Sequence, residues 1–97
     1  EHYPAMNNNH IKDLTNIEWL SLHLNNKITQ IAHLHNLKYL RLTGNRLITD
    51  EQISHLFNLT ALDLHCNQII TDEGLLRLTN LTSLTCGINT TDRGVSN

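Results

Sequence analysis

Nothing in the sequence approaches the roughly 18 consecutive apolar residues of a membrane-spanning helix, and the opening Glu1-His2-Tyr3-Pro4 lacks the charged-then-apolar layout of a secretory leader. Charge of one sign is scarce too: 7 Lys and Arg stand against 9 Asp and Glu. There is no basic stripe for nucleic acid and no polybasic run for a lipid surface, so neither is expected as a partner. With 97 residues the chain is one domain whose core barely closes unaided, which argues against a complicated enzyme. Aromatics are few, one Trp, two Tyr and one Phe, while 18 residues are Leu and 13 are Asn. Such a bias is a mark of internal repeats.

The repeat is Leu-x-x-Leu-x-Leu-x-x-Asn. Its four copies are Ile17, Leu20, Leu22, Asn25; Leu37, Leu40, Leu42, Asn45; Leu59, Leu62, Leu64, Asn67; and Leu81, Leu84, Cys86, Asn89. The Asn positions step by 20, 22 and 22 residues, so only the first unit is short. A phrase Leu-x-Asn-Leu/Ile leads into each copy, beginning at Leu14, Leu34, Leu56 and Leu78. On these motifs the chain resembles the leucine-rich-repeat family, with 22-residue units similar to bacterial and intracellular members. The resemblance covers roughly residues 11–97.

Elementary geometry supports the reading. Leu20 and Leu22 are two apart, so on a strand they share one face and the residues between them point outward. One repeat cannot bury its leucines alone; stacking neighbours adds one short strand per repeat to a parallel sheet. An Asn side chain both donates and accepts, so Asn25, Asn45, Asn67 and Asn89 are expected to form a structural ladder that satisfies turn backbone. Residues 49–56 and 71–78 open with Thr-Asp-Glu and predict short helices, Thr49 and Gln52 having the spacing of a capping box. The shorter leg from Asn26 to Gln30 predicts a 3₁₀ turn. The expected fold is an α/β leucine-rich-repeat solenoid, the sheet concave and the helices or 3₁₀ turns convex. Residues 1–10 are read as a polar lead-in and 11–97 as four repeats. A fragment of a longer solenoid is expected, because residues 91–97 retrace Thr71-Asp72-Glu73-Gly74 without a polar cap.

Candidate chemistry is thin. Cys86 occupies an inward position and Cys66 lies beyond its strand, so no disulfide is expected and a cytoplasmic, intracellular location is favoured. The sequons at Asn58, Asn80 and Asn89 keep a secreted route open, but all three fall on repeat-defining positions. His33 and His55 occupy a position that is Asp13 or Arg77 in other repeats, a variable solvent site. His23 and His65 are equivalent but two repeats apart, too far for one zinc ion. No metal, cofactor, small-molecule substrate or catalytic group is expected.

The register places Trp19, Ser21, His23, Tyr39, Arg41, Thr43, Ala61, Asp63, His65, Ser83, Thr85 and Gly87 on the concave face. Arg41 falls beside Asp63, and Glu18 beside Lys38 at the rim, each an expected ion pair. Two large aromatics on adjacent rungs, with an Arg nearby, have the composition of a binding hot spot. The site expected to hold a protein partner is Trp19, Ser21, His23, Tyr39, Arg41, Thr43, Asp63 and His65. The alternative is a structural piece of a larger assembly that contacts neighbours through uncapped repeat ends, with Trp19 covering the first of them.

Overall fold

The computed structural model describes residues 6–23 and 25–90. Four three-residue strands, β1 (Trp19–Ser21), β2 (Tyr39–Arg41), β3 (Ala61–Asp63) and β4 (Ser83–Thr85), form one parallel sheet in chain order. Leu20, Leu40, Leu62 and Leu84 are in register, as are Ser21, Arg41, Asp63 and Thr85. On the return legs lie α1 (Asn8–Ile11), α2 (Asp50–Ile53) and α3 (Asp72–Leu75). This is the α/β solenoid the repeats predict.

Every apolar side chain buried among the described residues is Leu or Ile. Branched aliphatics of one volume stack coil on coil, each contributing roughly 1.5–3 kcal/mol when fully buried. The motif leucines are joined by Ile28, Ile48 and Ile70, three residues after each ladder Asn, a periodicity visible in the chain once the coil is known. Excluded from this core, Trp19 and Phe57 are exposed and Tyr39 is half-buried.

The ladder is built by three of its four members. Asn45 Oδ1 accepts from the Leu47 and Ile48 amides, both at 2.9 Å, while its Nδ2 donates to Leu22 O and Asn25 O of the preceding coil. Asn67 repeats this one coil on, accepting from Ile69 and Ile70 and donating to Leu42 O and Asn45 O. Asn25 accepts from Lys27 and Ile28 and donates to Met6 O. Asn89 departs from the expectation: it is exposed and donates to Gln68 O at 2.8 Å. The reason is backbone crowding at Gly87, where a Cβ would lie 2.7 Å from Asn67 O and 2.8 Å from Leu64 O, the carbonyls an Asn89 amide would otherwise reach. Ile88 N takes Asn67 O, and buried Thr90 accepts from Gly87 N.

A second ladder runs along the exposed edge. Asn36, Asn58 and Asn80 donate to Thr15 O, His35 O and Phe57 O, one coil back. Two of these are sequon asparagines, and they hold adjacent coils together.

The return legs correct several expectations. The predicted helices shrink to single four-residue turns. Thr49 is the N-cap of α2, but its side chain makes no capping bond, so the capping box does not form. Gln52 instead reaches the preceding coil, its Oε1 accepting from Ile31 N and Ala32 N at 2.8 and 3.0 Å. Asn8 Oδ1 does the same for Thr29 N and Gln30 N. With its amides satisfied from both neighbours, the first leg needs no 3₁₀ helix and follows an irregular path. The lead-in is likewise structured from residue 6: Asn7 and His10 make the capping box of α1, and Met6 packs on the core. Residues 91–97, read as the start of a further unit, lie outside the described residues.

His33 is half-buried and its Nε2 is 3.1 Å from Ile11 O, so it bridges coils where a solvent position was expected; His55 is exposed at the surface of α2's coil, as expected. Cys86, expected to be inward and covered, is only half-buried, as is Leu84 of the same coil, while Cys66 is exposed. β4 has a described strand on one side only.

Candidate functional site

The outward side of the sheet is set by period-two alternation: leucines point in, and Tyr39, Arg41, Ala61 and Asp63 flank them on the other face. Parallel register brings Trp19 of β1 directly beside Tyr39 of β2. Their rings stack with centroids 5.4 Å apart and planes 8° from parallel. Adjacent strand positions lie about 4.8 Å apart, so an offset stack is the arrangement two such rings adopt when neither is drawn into a core. Trp19 remains 50 % exposed.

Arg41 and Asp63 are neighbours one row further along, Nε to Oδ2 at 3.9 Å, with side-chain exposures of 41 % and 26 %. At that separation, in solvent, the pair contributes well under ~1 kcal/mol. Arg41 Nε also donates to Thr43 Oγ1 at 3.2 Å, and Asp63 Oδ1 accepts from His65 N at 3.0 Å. Glu18 and Lys38 are linked through their backbones, Lys38 N to Glu18 O at 2.8 Å, and the expected ion pair between their side chains does not form.

The eight expected contact residues thus divide. Trp19, Tyr39, Arg41 and Asp63 lie on strands and form one surface. His23, Thr43 and His65 sit in the turns that follow, where a depression of about 460 Å³ is lined by His23, Thr43, Arg46 and Cys66 among others. Ser21 does not present itself: it is 9 % exposed, a short side chain in register with the long Arg41. Among the described residues no three His, Cys, Asp or Glu side chains gather to hold a metal ion.

Sequence reasoning missed what fixes the convex side. Asp50 Oδ1 accepts from Thr71 N and its Oδ2 from Thr71 Oγ1, tying α2 to α3. Gly74 permits this approach, since a Cβ there would lie 2.5 Å from Asp50 Oδ1. The signal lies in the Thr-Asp-Glu recurrence, which helix capping alone explains equally well. Between these legs Asp50, Glu51, Ser54, His55, Glu73, Leu76 and Arg77 line a shallow groove.

Residues 33–51 and 55–78 match a family model described as Leucine Rich repeat. No curated protein and no solved structure gives a significant match.

Proposed function

The chain belongs to the leucine-rich-repeat family, and from that premise we propose that it holds a protein partner on the concave face of its sheet. Domains of this family generally mediate protein–protein interaction and are typically binding modules without catalysis. The observation that carries the concave reading is the Trp19–Tyr39 stack, two rings left outside an all-aliphatic core. Large, stiff aromatics bring much contact area at low entropic cost, which is why Trp, Tyr and Arg are enriched among hot spots. Arg41 and Asp63 beside the rings supply orientation. Two cysteines without a disulfide support placing the module in a reducing, intracellular compartment.

Trp19 is the one tryptophan of the chain, so its emission reports on this site alone. A protein partner seated on the concave face shifts that emission to the blue on binding, because the ring loses water. A partner that binds without moving it contacts another surface. Leu14 favours that second reading: it is 42 % exposed although Leu34, Leu56 and Leu78 at the same repeat position are buried, which suits an assembly piece touching a neighbour through the first coil.

A further inference from the structure

We propose that the concave site, taken as the binding face argued above, recognises an extended acidic segment in which a carboxylate and an aromatic ring are two residues apart. The occupant follows from the charges left open on the sheet. Arg41 has only its Nε engaged, at 3.2 Å to Thr43 Oγ1 and 3.9 Å from Asp63, and its Nη groups make no hydrogen bond with the described residues. A guanidinium fork with both Nη atoms available matches a carboxylate in a two-bond geometry. Asp63 keeps its charge but is the less exposed of the two, 26 % against 41 %, with Oδ1 on His65 N and Oδ2 toward Arg41 Nε, which leaves the Nη groups facing solvent as the open part of the pair.

Most other acids are segregated from the site. Asp50, Glu51, Asp72 and Glu73 all sit on α2 and α3, on the return legs away from the strands. Glu18 and Lys38, one acid and one base, stand at the rim one residue before the aromatic row, with no ion pair between them. The strands themselves carry two ions, Arg41 and Asp63, and Arg41 is the more exposed of them. Trp19 and Tyr39 occupy the strand position two before Ser21 and Arg41, and Trp19 keeps half its surface in solvent. Side chains two apart on an extended peptide share a face at about 6.6 Å, the same repeat that separates the aromatic row from the Arg41 row. One ring packed on the Trp19–Tyr39 row and one carboxylate on Arg41 satisfy both rows at once.

The test is a titration of Trp19 emission in the whole chain with three short peptides that differ at one position, Phe-Ser-Glu, Phe-Ser-Gln and Phe-Ser-Lys in a Gly/Ser surround. The Glu peptide is expected to bind about tenfold more tightly than the Lys peptide, with Gln between. Arg41→Glu inverts the order and Arg41→Gln abolishes the preference, circular-dichroism melts confirming that both variants fold. Equal affinities in the native chain, or no response to any of the three, overturn the acidic assignment. A blue shift of Trp19 with a protein partner would then still leave the concave site standing, so the two ideas fail separately.

Discussion

Asn67 donates its side-chain amide to the backbone carbonyl of Asn45 at 3.0 Å, from a position with no solvent exposure. Its oxygen meanwhile accepts from two amides of its own turn, so one residue satisfies four backbone groups on two coils. Asn67→Ala leaves three of them unpaired, since Leu42 O keeps the Asn45 amide, and a loss of roughly 3 kcal/mol is expected. Asn89 is exposed with one bond to Gln68 O, so Asn89→Ala should cost under about 0.5 kcal/mol. Urea melts of the two variants check this; equal midpoints would dissolve the ladder.

Two glycines fail for different reasons. Gly44 has φ 64° and open space where a Cβ would stand, so Gly44→Ala costs about 1 kcal/mol through backbone conformation alone. Gly74→Ala drives a methyl onto Asp50 and costs on the order of 1–3 kcal/mol. In an Asp50→Ala background the second cost should fall, leaving the part due to the Asp50 Cα at 3.1 Å, while the first persists. A double-mutant cycle measured by denaturant unfolding gives both numbers, and an unchanged Gly74→Ala penalty would remove the steric account.

Cys66 sits at the position equivalent to Gly44 and has φ 60°, the left-handed region that a side chain resists. Cys66→Gly is expected to leave stability unchanged or raise it by up to about 1 kcal/mol, strain relief being offset by the entropy of glycine. The exposed Cys66 thiol should also take up a maleimide in the native state well before the half-buried Cys86. Faster labelling at Cys86, read by peptide mass spectrometry, contradicts the described turns.

The sheet, its register and the aliphatic core were legible because each depends on a spacing within one repeat. Leu20 and Leu22 need only the two-residue period of a strand, and Trp19 falls beside Tyr39 once the motif copies are aligned. What was not legible depends on which neighbour a polar side chain chooses. Gln52 has the spacing to cap its own helix and instead serves Ile31 and Ala32 one coil away. Asn89 has the spacing of a ladder residue, but the close backbone at Gly87 occupies its place. Ser21 shares the outward row of Arg41, and its small size leaves it covered. Periodicity assigns a face; contact is decided by size and by competing donors across the coil.

The central claim, that the stacked pair is a contact surface and not an end cover, is tested most directly by partner affinity in a Trp19→Ala, Tyr39→Ala double variant measured beside its thermal melt. Neither ring belongs to the buried core, so the melt should move by only a few degrees. Loss of hot-spot aromatics typically costs about 2 kcal/mol or more, roughly thirtyfold in affinity, and His55→Ala on the convex side should change little. Affinity falling by that much in a folded variant is the predicted result. Affinity that follows the folded fraction, or that does not change at all, would contradict it.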